Sequence, residues 1–153
     1  MKTSAKALSL FIIFGSLLAG LSGCTLKLAE DYDAQTSGSI IKVAKTTDAF
    51  LLNMLVSSSA TDGTRTFENY AGGYAAVENE LISLGLQNQV RPLHDYTFQI
   101  TEITLELWLD FAGKHKQNDT MSDLLIDEMR VSMQDAFRAM LIADEGAEYL
   151  NLD

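Results

Sequence analysis

Phe67, Tyr70, Tyr74, Val77, Leu81 and Leu84 follow one another at steps of 3, 4, 3, 4 and 3 residues. In an α-helix that spacing stacks all six side chains into one seam, because positions i, i+3, i+4 and i+7 share a face. A strand would alternate between its two faces instead. The seam therefore demands a helix, and a helix apolar along one side must bury that side against another element. It spans about Thr66 to Leu84, with Gly85 just past its C-terminus, where a residue without Cβ most easily closes a helix.

Three further stretches carry the same period. Ala34 to Ser58 places Ile40, Ala44, Thr47, Leu51 and Leu55 on one stripe, widened by Val43, Phe50 and Met54, with Asp33 as its N-cap. Ser59 to Thr64 reads as a loop around the Asp62-Gly63 turn. Leu93 to Lys114 carries Leu93, Tyr96, Ile100, Ile103, Leu107 and Phe111 at helical steps. Its start, Tyr96 to Ile100, alternates like a strand, but the alternation stops at Glu102-Ile103 and helix wins. Pro92 sits in the preceding loop, where it opposes helix. Gly113 and the polar run Lys114 to Asp119 form the next connector. Thr120 and Asp123 match a capping-box spacing. The fourth helix then runs to about Glu145 through Leu125, Met129, Met133, Ala136 and Met140, with Gly146 as its stop. The tail Ala147 to Asp153 either docks through Tyr149 and Leu150 or frays. Four amphipathic helices on short connectors, with a single proline, predict an all-α, antiparallel four-helix bundle over residues 34–153.

The N-terminus follows a different rule. Lys2 and Lys6 precede an apolar run from Ala7 to Leu21, and small residues lead to Cys24, the only cysteine. A charged start, an apolar middle and a small-residue end describe a secretory signal peptide. The run is short for a membrane span, which needs about 20 mainly apolar residues. Leu21-Ser22-Gly23-Cys24 resembles the lipobox of bacterial lipoproteins. The resemblance implies cleavage of residues 1–23, acylation of the Cys24 thiol and its new amino group (palmitate being one such chain), and a lipid-anchored place in the cell envelope. Thr25, in place of Asp, implies the periplasmic face of the outer membrane if the host is Gram-negative. The mature chain is also similar to small helical lipoproteins of unknown function, through Asp31-Tyr32-Asp33 leading into Thr47-Asp48-Ala49-Phe50-Leu51.

Residues 24–33 then form a lipidated connector that reaches at most about 30 Å, so the domain sits close to its membrane. The chain carries 11 Lys and Arg against 21 Asp and Glu, a net charge of −10, and loss of Lys2 and Lys6 makes it −12. Such a chain lacks the basic stripe that binds phosphate backbones, which argues against nucleic acid as a partner. It would equally be repelled by anionic headgroups. With Cys24 lipidated, disulfides and Cys–His chemistry both drop out.

Other chemistry finds little footing. Neither His94 nor His115 follows a Glu by three residues, as a di-metal carboxylate bundle requires, and no zinc ligand spacing occurs. Asp31-Tyr32-Asp33-Ala34-Gln35 begins like a calcium loop but has Thr36 where glycine belongs. No nucleophile elbow or phosphate loop is present, so no enzyme, metal or cofactor is expected. Glu102, Glu106 and Asp110 form an acidic row at i, i+4 and i+8, ended by Lys114. Like charges so placed cost about 0.2–0.5 kcal/mol per pair. The row reads as a docking strip for a basic partner, a weak cation site, or a solvated face. Gly72 and Gly73, mid-helix, leave room for a close neighbour or for a ligand. Met121, Met129, Met133 and Met140 read as gap-filling core or as an adaptable binding surface. Trp108 is either a partner anchor or a residue at the core's edge. The resulting expectation is a non-enzymatic envelope module, lipid-anchored, that binds another envelope protein. The alternative is a carrier or sensor of a small apolar ligand held near Gly72, Gly73 and the methionines.

Overall fold

Helices α1 (Ala34–Ser57), α2 (Phe67–Gln89), α3 (Asp95–Asn118) and α4 (Asp123–Tyr149) make up nearly all of residues 34–91 and 95–149, the part the computed structural model describes. Residues 1–33, with the expected signal peptide, connector and Asp33 cap, the stretch Pro92-Leu93-His94 and the tail from Leu150 lie outside the described residues. α1 packs on α2 and α4, and α3 packs on the same two; the diagonal pairs do not approach. Neighbours run antiparallel. Ser37, early in α1, reaches Asp144, late in α4, at 2.7 Å, and Asn88, late in α2, reaches Thr101, early in α3, at 3.2 Å. The chain therefore folds as an all-α four-helix bundle, its helices about 35–40 Å long.

Three helices outrun the glycines expected to end them. α2 continues past Gly85 to Gln89, because the seam itself continues: Asn88 lies four residues beyond Leu84 and is buried against α3. A mid-helix glycine costs only about 1 kcal/mol relative to alanine, less than an added turn of buried packing returns. α3 likewise passes Gly113, anchored by buried His115, and ends at Asn118. Asp119 then takes the left-handed conformation (φ 53°) that closes the helix, one that short polar side chains tolerate. α4 also runs through Gly146, to Tyr149.

The caps are exchanged between loops. Leu125 N–H donates to Ser122 Oγ at 3.2 Å, so Ser122, not Thr120, caps α4. Thr66, at the N-cap position of α2, makes no side-chain cap bond. The Phe67 N–H donates instead to Asp119 Oδ1 at 3.0 Å, a carboxylate lent by the α3–α4 loop.

The core follows the expected stripes on α1, α2 and α4 but not on α3. Tyr96 and Ile103, assigned inward, are 76% and 63% exposed. The buried face is Thr97, Thr101, Thr104, Trp108, Phe111 and His115, rotated from the apolar stripe and mostly polar. Two of these threonines can be buried there because their hydroxyls are satisfied within their own helix. Thr101 Oγ donates to the Thr97 carbonyl (2.7 Å) and Thr104 Oγ to that of Ile100 (2.6 Å). Trp108 sits at the centre of the core, not its edge. The methionines of α4 are core as well.

Phe50 explains Gly73. Its ring sits edge-on to Tyr74 (4.9 Å between centroids), Trp108 (5.6 Å) and Tyr70 (6.0 Å). It occupies the space where a Cβ on Gly73 would stand, while a Cβ on Gly72 would meet nothing within 4 Å. Gly72→Ala is therefore expected to stabilise the protein by about 0.5–1 kcal/mol through helix propensity. Gly73→Ala should destabilise it by about 1–3 kcal/mol through overpacking of a ring that three aromatics confine. Urea unfolding of the two variants measures both; equal effects would remove Phe50 as the reason for the second glycine.

Candidate functional site

The polar side chains able to do chemistry gather at the two ends of the bundle. At one end Arg65, from the α1–α2 loop, is fully buried, and its guanidinium spends all five N–H donors. Nε donates to Ser58 Oγ at 3.1 Å. Nη1 donates to the Met121 carbonyl (2.8 Å) and to Asp123 Oδ1 (2.6 Å), and Nη2 to the carbonyls of Met54 (3.3 Å) and Ser58 (2.6 Å). One planar group thus closes the C-terminus of α1 and binds it to the start of α4.

Beside it runs a chain through His115. Its Nε2 lies 3.1 Å from the Arg65 carbonyl, which can only accept, so Nε2 carries the proton and donates. Nδ1 then accepts from the Tyr74 hydroxyl at 2.8 Å. Burial holds the His115 pKa below its ordinary value, and burial raises that of the Tyr74 phenol. Phe67 and Tyr70 pack around the imidazole. A histidine hydrogen-bonded to a tyrosine has the parts of a general base, and here both side chains are buried in the core.

The sign of the pH effect follows from the lowered His115 pKa. Above the ordinary histidine pKa of about 6.5 the folded and unfolded chains are both neutral there. As pH falls below that value the unfolded chain takes up a proton first, so stability is lost progressively down to the folded-state pKa. Urea midpoints measured from pH 7.5 to 5 are expected to fall. The decline should be shallower in His115→Gln, and identical slopes would assign it to other groups.

The opposite end is closed by a second arginine. Arg91 Nη1 donates to Asp144 Oδ1 at 2.8 Å, and Ser37 Oγ to Asp144 Oδ2 at 2.7 Å. Asn88 Oδ1 and Thr97 Oγ, both buried, find no hydrogen-bond partner, so this end is less completely satisfied than the Arg65 end.

The acidic row of α3 is exposed throughout, yet it does not converge. A row at i, i+4 and i+8 winds around its helix, and here it crosses from one groove to another. Glu102 opens onto a groove of about 190 Å³ between α2 and α3. Asp110 opens onto one of about 150 Å³ between α3 and α4, held by Lys114 at 2.6 Å. Glu106 lies exposed between them. The three carboxylates therefore share no common ligand position. A third groove, of about 250 Å³ between α1 and α2, contains the Lys42–Glu80 ion pair (3.3 Å).

Cys24 and His94 lie outside the described residues. The space above Gly73 is filled by Phe50, and the α4 methionines are packed against their neighbours. No helix among the described residues is long and apolar enough to cross a membrane. Comparison with family models, with curated proteins and with solved structures finds no match.

Sequence reasoning passed over Arg65, Arg91 and Asp144. One signal was available. Arg65 and Arg91 are loop cations on either side of α2, a helix of 23 residues without a single Lys or Arg. In so acidic a chain an isolated loop arginine has carboxylates and helix C-termini as its natural partners.

Proposed function

We propose that this chain is a lipid-anchored protein of the cell envelope that works as a non-enzymatic interaction or structural module. The Leu21-Ser22-Gly23-Cys24 motif carries the reading, and the placement of polar groups supports it. The side chains suited to catalysis, His115, Tyr74 and Arg65, are internal and occupied in joining helices. The outer surface offers apolar and acidic side chains at shallow grooves, the chemistry of contact with another protein. α1 begins ten residues after Cys24. An anchor at Cys24 would thus hold the bundle near the bilayer, on the periplasmic face of the outer membrane in a Gram-negative host.

Metabolic labelling with palmitate tests the anchor directly. The full-length chain is expected to take up label and to fractionate with membranes, and Cys24→Ala to lose both. A Cys24→Ala chain that stays membrane-bound, at the precursor's mass, would indicate an uncleaved apolar segment instead.

A further inference from the structure

Helices α2 and α3 leave an apolar groove between them that the bundle does not use. Gly85 and Thr101 lie at its floor, and Ile82, Leu86, Phe98 and Leu105 line it. Gly85 keeps it open, since the nearest atom to a Cβ there is the Thr101 methyl at 3.7 Å. Ile82 and Leu86 are 40% and 60% exposed, and Val90 extends their row, so an apolar edge about 12 Å long faces outward. Solvated apolar side chains scattered singly need no explanation, but a row of them lining a groove does.

The one charged side chain that lines this groove, Glu102, is acidic. Between Arg65 and Lys114 the only Lys or Arg is Arg91, and Arg91 is engaged with buried Asp144. Of the other acids in the same stretch, Glu80 and Asp110 line the other two grooves. Other acids of the bundle pair with bases: Glu80 with Lys42, Asp110 with Lys114, Asp48 and Asp127 with Arg130, and Asp135 with Arg138. No ion pair among the described residues reaches Glu78, Glu102 or Glu106, and Glu102 stands in the wall of the groove itself.

We propose that the α2–α3 groove receives an amphipathic helix of a partner protein, one that carries Lys or Arg beside its apolar face. A groove between two antiparallel helices accepts a third helix by the ridge-and-groove fit that packs the bundle itself. Apolar side chains of the incoming helix at i, i+3 or i+4 would cover Ile82, Leu86, Phe98 and Leu105. A basic side chain at its margin would meet Glu102, and the chain's net charge of −10 would speed encounter with a basic partner and oppose an acidic one, a second copy of this chain among them. The proposal rests on the interaction reading above and names the partner's chemistry.

Two synthetic peptides of about four helical turns test it, alike in leucines at helical spacing, one with flanking Lys and the other with flanking Glu. Binding is measured on the full-length protein in detergent. The Lys peptide is expected to bind at least about tenfold tighter than the Glu peptide. Glu102→Lys and Leu86→Gln should each weaken it about tenfold, whereas Asp135→Lys on α4 should change it less than about twofold. Equal affinity for the two peptides, absence of binding, or indifference to Glu102→Lys overturns the proposal. A photo-crosslinker at position 86 in cells adds the natural partner. A captured segment with helical apolar spacing and Lys or Arg supports the proposal, and capture of a second copy or of an acidic segment overturns it. Repeating the peptide measurement on Cys24→Ala separates the two readings, since binding in detergent does not depend on the anchor.

Discussion

Arg65→Ala is expected to cost the fold about 3–5 kcal/mol, the usual consequence of breaking a buried, fully hydrogen-bonded charge. Folded domains of this size are held by about 5–15 kcal/mol in total, so the loss is a large share of the whole. The arithmetic is local. Removing the guanidinium deserts the carbonyls of Ser58 and Met121, each at about 1–3 kcal/mol wherever water cannot replace the donor, while the Met54 carbonyl keeps the Ser58 hydroxyl. Arg65→Lys should recover little. An ammonium is a single point with three donors, whereas the partners here are spread around a planar fork. Asp123→Asn should cost no more than about 1 kcal/mol, because that carboxylate is 76% exposed and its pairing is shared with water. Urea unfolding followed by circular dichroism measures all three. If Asp123→Asn proves as damaging as Arg65→Ala, the salt bridge and not the carbonyl clasp is what matters.

Trp108→Ala should destabilise by about 3–5 kcal/mol, the range for truncating a large buried aromatic. The indole is fully buried between Phe50, Tyr74 and Phe111, and its Nε1–H donates to the Tyr74 carbonyl at 3.2 Å. Trp108→Phe retains most of the apolar area and loses the hydrogen bond, for an expected cost of about 1–2 kcal/mol. A small effect of the alanine variant would mean that α2 and α3 close over the gap, which the confined Phe50 ring opposes.

Legibility varied with how much of the decision was local. The seam of α2 was readable because six apolar residues repeat at helical spacing, and nothing else suits that spacing. The face of α3 was not readable. Its apolar residues favoured Tyr96 and Ile103, while the buried stripe runs through Thr97, Thr101 and Thr104. A hydroxyl that bonds the carbonyl four residues back makes threonine a small apolar residue in effect, and composition does not reveal it. Gly85 and Gly113 read as stops because a lone helix would end there. Each lies inside a helix because the neighbouring helix continues and rewards further packing. The acidic row was legible as three carboxylates on α3. Its division between two grooves was not, since that depends on where α2 and α4 lie.

What the sequence determined by itself was the class and count of elements, because hydrophobic period is a property of consecutive residues. It also carried the Cys24 motif, on which the proposed anchor rests. Tertiary structure alone decided which side of α3 is buried, which loop caps which helix, and what the two loop arginines hold. Each of those depends on groups that are distant along the chain: Asp119 caps α2 from 52 residues away, and Arg65 reaches Asp123 across 58. Sequence pattern fixes a helix's own preferences, but buried polar groups take whichever partner the packing brings within hydrogen-bonding distance.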